Sequence, residues 1–443
     1  MGTLPVNMTT PHTSPPTTPP TTSGASATGM PVGMAMGPGT RPGRSEFASH
    51  WRLDPGITFL NHGSYGACPE VVLDAQSEIR ALMEREPVRF YMQHLERLTD
   101  VVRERVAGFV NCRPEDLAFT PNATISIATI LLNIDFEPGD EILVNTHEYM
   151  SAINELGRLG KRTGAKMVKA QVPFPISGEE QVIEAVMAAV SPRTKLAILS
   201  HITSPTAVIF PVKRLTAMLR ERGILVMVDG AHTPAQIALD VSDINADYYV
   251  ADFHKWISSP KGASFVHVRP GLQKGFRPIA LSSRVHNVRD DRAPYLAEFD
   301  YVGTSDYSSL LAVPAAIDFF EKILPGGVPA LIKRNHELVV KGRNAVCSAT
   351  GLGVPAPDHM LPCMATILLP PQPKSYKGVK SVFGDPLQDR LVEQHKVQVP
   401  VWALPDCGTR FTRISAQLYN TLAEFEYFGR ALKIELDREA QMD

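Results

Sequence analysis

An α/β fold, with a mostly parallel sheet in a large domain and a smaller C-terminal α+β domain, is what three features of this sequence predict. Between Leu117 and about His267, short apolar β-branched runs alternate with amphipathic stretches of helical length, the pattern of consecutive βαβ units. Two of those runs end at ionisable residues, one at Asp229 and the other just before Lys255. After about residue 310 the alternation stops, and long helical stretches with isolated strand-like pieces replace it.

The elements follow in order. Residues 1–45 are almost wholly Pro, Thr, Ser, Gly, Met and Ala. Such a segment cannot bury enough surface to offset its ordering entropy, so a disordered tail is expected, with a weakly basic transit-like leader as the alternative. Order is expected from Phe47. Residues 70–110 read as helical, with Val72, Ala75, Ile79 and Leu82 three and four apart, and Pro87 divides the run. EILVN (141–145), KMVKA (166–170), KLAILS (195–200), ILVMVD (224–229) and DYYVAD (247–252) are expected strands, with stretches such as EEQVIEAVMAAV (179–190) as helices covering both faces. Leu310 to Leu324 reads as one helix, Pro-Gly-Gly at 325–327 as its break, and a second helix runs toward Ala349. ATILLP and FTRISA are expected strands, and a terminal helix starts at Thr421. The expected divisions are 1–45 for the tail, 46–310 for the large domain and 311–443 for the small one.

Composition narrows the function. A formal net charge of −2 gives no electrostatic case for nucleic acid or an acidic membrane surface. Five scattered cysteines without CxxC spacing argue for reduced thiols in a cytoplasm and against a disulfide framework or a metal site. No apolar run reaches the roughly 18–20 residues of a membrane span.

The chemistry concentrates at strand ends, where open α/β sheets bind ligands. Asp229 reads either as a helix cap or as a buried carboxylate that keeps a pyridine nitrogen protonated. Lys255, between His254 and Trp256, sits where an imine-forming amine is needed. Together they are what a pyridoxal phosphate enzyme requires. His232, three residues after Asp229, is near enough to reach the same ring or is a satisfied core histidine. Asn122, Ala123 and Thr124 open a helix after a strand, and its N–H groups with the Thr hydroxyl make either a phosphate cradle or a plain cap. Tyr149 follows a strand end, where its ring either stacks on the pyridine face or is half buried in the fold. Asn61, His62 and Ser64 lie in the Gly-rich FLNHGSYGACP loop, and Ser200, His201 and Ser204 lie in LSHITSPTAVIFPV. Arg413 stands inside an apolar strand, so it needs an anion: a substrate carboxylate, or a structural Asp or Glu.

With those residues in place, the chain resembles the fold type I pyridoxal-phosphate enzymes of the class V aminotransferase superfamily, and within it the isopenicillin N epimerase-like branch. FLNHGSYGACP, PNAT, EYM, SHITSPT, DGAH, HKW with its following PKG, GTSD and TRISAQLYNT carry the resemblance, in order, from about residue 50 to the C-terminus. The resemblance implies a seven-stranded-type sheet and the cofactor pyridoxal 5′-phosphate. It makes Lys255 the Schiff-base lysine and catalytic base, and pairs Asp229 with the ring nitrogen. Tyr149 becomes the stacking ring, while His232 and Ser204 contact the phenolic oxygen or the substrate. It assigns phosphate contacts to Asn122, Ala123, Thr124 and His254, with Thr304 reaching across a homodimer to the partner's phosphate. It places the amino-acid substrate against Asn61, His62, Ser64 and Arg413. Where the family often has Gly, Ala207 stands, which leaves that loop's backbone angles and the role of Ser204 open.

The expected activity is an isomerase, an epimerase acting at the α-carbon of an amino acid. A C–S lyase of the cysteine desulfhydrase or sulfoxide lyase type is the alternative, and a transaminase comes third. Persulfide chemistry is disfavoured, because Cys407 lies only six residues before Arg413, in a Pro-Asp-Cys-Gly turn.

Overall fold

The computed structural model describes residues 38–286, 289–405 and 408–442. Its strands, in chain order, are β1 (Thr58–Phe59), β2 (Leu117–Thr120), β3 (Glu141–Asn145), β4 (Lys166–Ala170), β5 (Thr194–Ser200) and β6 (Leu225–Asp229). They continue with β7 (Tyr248–Asp252), β8 (Ser264–Val268), β9 (Met364–Leu368), β10 (Val397–Gln398), β11 (Val401–Ala403) and β12 (Arg410–Ser415). Seven of them form one sheet in the order β2-β8-β7-β6-β5-β3-β4. The pairs from β4 through β7 are parallel, and β8 runs antiparallel to both β7 and β2. This is the expected mostly parallel sheet. All five residues of β3, β7 and β8 are buried, as helices on both faces require, whereas the edge strand β4 is largely exposed.

Register brings the site together. Ser200 at the end of β5 pairs with Asp229 at the end of β6, and Asp229 pairs with Val250, two residues before β7 ends at Asp252. Because parallel strands point the same way, these polar ends gather along one edge of the sheet. A second, antiparallel sheet of β11-β12-β9 brings in Arg413, opposite Thr366.

Local chemistry decides where helices stop. Glu86 leaves the helical region (φ −145°, ψ 74°) because Pro87 follows, and the helix Glu70–Arg85 ends there. The single helix expected over Leu310–Leu324 is two, Ser308–Leu311 and Val313–Lys322, since Pro314 suits a helix start and cannot donate to the preceding turn. Order begins before Phe47: Arg44 donates to the carbonyls of Leu53 (2.8 Å) and Ile57 (2.7 Å), and Ser45 N–H donates to Tyr419 O at 3.2 Å. Residues 1–37 of the expected tail, and Asp406 and Cys407 of the expected turn, lie outside the described residues.

The long helices Gly327–Thr350 and Leu422–Ala440 cross closely at Gly342, where a β-carbon would lie 2.5 Å from the Phe425 ring. Gly342→Ala is expected to overpack this crossing and cost about 1–3 kcal/mol in urea unfolding. Gly108→Ala, in a helix with open space around it, should instead gain roughly 0.5–1 kcal/mol.

Candidate active site

Just past β7, Lys255 Nζ lies 3.2 Å from Asp252 Oδ2, and Asp252 Oδ1 accepts the Ala123 N–H at 2.8 Å. One carboxylate therefore ties the lysine to the N-terminus of the helix Ala123–Leu132. The lysine backbone is braced from the other side by the FLNHGSYGACP loop. His62 Nε2 donates to Lys255 O at 2.8 Å, which leaves Nδ1 to accept from Tyr419 O–H at 2.7 Å. Burial pushes the His62 imidazole down to about 3, so it stays neutral. Gly66 (φ +66°) must be glycine here, since a β-carbon would sit 2.1 Å from His254 O and 2.6 Å from Lys255 O.

Asp229 is buried, and among the described residues its carboxyl accepts one hydrogen bond, from Ala231 N–H at 2.9 Å. No helix follows it, so it is a buried acceptor and not a cap. Burial raises its pKa, against the pull of Ala231 and Lys255. Gly230 lets this strand end approach the next one, because a β-carbon would meet Tyr249 Oη at 2.2 Å. Beside Asp229 lies Glu148, whose carboxyl is pushed up by burial first and by Asp229 second. Its oxygens accept from Ser200 O–H (2.8 Å), Tyr149 N–H (3.0 Å) and Asn145 Nδ2 (3.1 Å). His232 Nδ1 accepts from Trp256 Nε1 at 3.4 Å, so the neutral ring carries its proton on Nε2, which has no partner among the described residues.

Two arginines of β12 show what the site lacks. Arg410 is buried and paired with two carboxylates, Asp385 (2.7 and 2.8 Å) and Glu439 (2.7 and 3.1 Å), which raise its pKa. Arg413, three residues on and only 1 % exposed, has no carboxylate partner among the described residues. It donates to Ser204 O, to Ser204 Oγ (3.4 Å) and to Ser64 Oγ (3.2 Å), and its guanidinium lies 4.9 Å from the centroid of Trp402. Its Nε has no partner, and burial holds its pKa down to about 9. The structural ion pair weighed for this residue is absent among the described residues. Ala207 holds the left-handed angles (φ +55°) of the SHITSPT loop, at about 1–2 kcal/mol for its β-carbon, and Ser204 serves that loop by holding Arg413.

These groups surround a cavity of about 450 Å³. Ser64, Asn122, Ala123, Thr124, Tyr149, Ser204, Asp229, His232, His254, Lys255 and Arg413 all line it. Asn61 and His62 do not: Asn61 Oδ1 accepts from Ser64 O–H at 2.6 Å, and His62 sits behind the lysine. Thr304 is exposed outside the cavity, 2.8 Å from Tyr301 Oη. Asn122 Oδ1 caps its helix by accepting Ile125 N–H at 3.0 Å. Sequence reasoning gave no role to Asp252, Glu148 or Trp402. Asp252 at a strand end and Glu148 beside Tyr149 carried a positional signal; Trp402 carried none.

A flat pyridine bearing a phosphate fits this donor set. Asp229 is a buried carboxylate short of donors, His232 Nε2–H is a donor short of an acceptor, and a helix N-terminus faces the cavity. Lys255 Nζ stands 6.0 Å from the centroid of the Tyr149 ring.

Comparison with known proteins agrees. The family model described as Aminotransferase class-V matches residues 59–367. The isopenicillin N epimerase of Amycolatopsis lactamdurans is 32% identical over 395 residues, 86% of this chain and 96% of that one. The L-cysteine desulfhydrase of Arabidopsis thaliana is 29% identical over 416 residues, 88% of this chain and 89% of that one. Among solved structures, a C-DES mutant with glycine covalently linked to its PLP cofactor superposes with a TM-score of 0.75 at 20% identity, covering 87% of this chain and 98% of that chain. That likeness is one of fold.

His62 sets a pH dependence. Its folded pKa lies below the unfolded 6.5, so its stabilisation is complete above that value and is lost as pH falls. Between pH 7 and 5 the loss is about 2 kcal/mol. His62→Gln should flatten the unfolding free energy over that range by this amount, checked by urea titrations at both pH values; an unchanged slope would mean that His62 is not held neutral.

Proposed function

We propose, for a chain that belongs to the Aminotransferase class-V family and whose cofactor is pyridoxal 5′-phosphate, that it acts at the α-carbon of an amino acid with Lys255 as the base. One observation carries the amino-acid part of this reading. Arg413 is a buried guanidinium that no described carboxylate neutralises, and an α-carboxylate is its natural complement. The cofactor, when bound, supplies a ring that takes up the electrons of a broken bond at Cα.

The chain's own groups divide the remaining work. Asp229 holds a proton at the ring nitrogen. Asn122, Thr124 and His254 hold the phosphate, the Ala123 N–H being committed to Asp252, and Tyr149 covers one face of the ring. His232 Nε2–H donates to the phenolic oxygen or to the substrate. Ser204 and Ser64 orient Arg413, which seats the carboxylate, and Lys255 takes the α-proton.

For the outcome, epimerisation is the first reading. The amine of Lys255 lies 6.0 Å from the centroid of the Tyr149 ring, so a second side chain stands beside the base within the cavity. β-Elimination, a C–S lyase activity, is the second reading. Relatives named L-cysteine desulfhydrase match over as much of the chain as those named isopenicillin N epimerase. Transamination comes third. The active form in this reading is a homodimer in which Thr304, exposed and outside its own cavity, serves the neighbour's phosphate. Sedimentation of an active monomer would remove that part.

The loaded enzyme, incubated with amino acids in D₂O, is expected to place deuterium at Cα with a mixed D/L product. Pyruvate or a released thiol instead would make it a C–S lyase. Lys255→Ala should abolish the visible absorbance of the lysine-bound cofactor, and unchanged absorbance would strip Lys255 of its role. Arg413→Ala should lower kcat/KM by about 2–3 kcal/mol; a change of only a few tenths would make Arg413 structural.

A further inference from the structure

We propose that the site selects neutral amino acids, with one carboxylate and an uncharged, apolar or thioether side chain, and rejects substrates that carry a second carboxylate. This rests on the reading of Arg413 as the carboxylate seat.

The argument is a count of charges around the cavity. Among the described residues lining it, the cationic side chains are Arg413 and Lys255. Lys255 already faces Asp252 at 3.2 Å, and Arg413 is consumed by the first carboxylate. His232 and His254 are both held toward the neutral form by burial. The three lining carboxyl groups, Glu148, Asp229 and Asp252, supply no positive charge for a second anion. A second substrate carboxylate would lose its water and find acidic or uncharged neighbours, the case in which an unpaired charge costs several kcal/mol.

The rest of the lining suits carbon and sulfur. Met150, Pro205, Trp402, Leu404 and Phe411 supply apolar surface, and Trp402 is fixed by its stack on Arg413. An apolar or thioether side chain gains from burial against such a wall, and sulfur gains further against an aromatic ring.

Equilibrium dialysis of the loaded enzyme tests this, with glycine, L-methionine and L-norleucine set against L-glutamate and L-2-aminoadipate. Methionine and norleucine are expected to bind at least tenfold more tightly than the dicarboxylates. Met150→Arg, at an exposed position on the cavity wall, should improve 2-aminoadipate binding at least fivefold relative to glycine. Dicarboxylates that bind wild type as tightly as the neutral amino acids would overturn the proposal, as would a Met150→Arg variant with wild-type ratios. If no amino acid of either class binds, the reading of Arg413 as a carboxylate seat fails, and the selectivity fails with it. Selectivity lost while glycine still binds would sink the selectivity alone.

Discussion

A buried charge must be matched, and this constraint organises the molecule around its cavity. Elsewhere the chain satisfies it internally. Arg410 is clamped by Asp385 and Glu439, and Arg103 lies between Asp300, also out of water, and the more exposed Asp100. At the cavity the matching stops short. Among the described residues, the Asp229 carboxyl has one backbone donor, His232 Nε2 has no acceptor, and Arg413 has hydroxyl and carbonyl partners but no anion. These deficits cost stability in the free protein and are what a charged, hydrogen-bonding cofactor and substrate relieve.

The deficits are held in place by segments remote in sequence. The loop around His62 and Gly66 presses on the lysine turn, and His62 joins Lys255 O to Tyr419 of the C-terminal region. The SHITSPT loop reaches Arg413 of the antiparallel sheet through Ser204. A shift of the C-terminal strands would therefore move both the carboxylate seat and the support of the lysine. Asp252 adds a rigid link between the lysine amine and the N-terminus of the helix Ala123–Leu132, so both share one carboxylate.

The reactions open to this family share the first step and differ in what reaches Cα afterwards. In this chain Lys255 Nζ lies 6.0 Å from the centroid of the Tyr149 ring, and Trp402 packs on Arg413. A high identity of cofactor-binding motifs therefore says little about the product.

The sequence by itself determined the sheet, the strand ends that carry Asp229 and Lys255, and the oddity of Arg413 inside an apolar strand. Each is written in local periodicity or in the cost of a charge among apolar neighbours, which no distant contact is needed to read. The helix end at Pro87 was legible in the same way, whereas the break at Pro314 was missed because the apolar pattern joined the two helices. Only the tertiary structure decided that His62 braces the lysine from behind the cavity, that Glu148 shares its burial with Asp229, and that Trp402 stacks on Arg413. It also decided that Arg410 has its carboxylates and Arg413 does not. Those facts depend on which side chains packing brings together from segments up to 357 residues apart, and no local pattern encodes them.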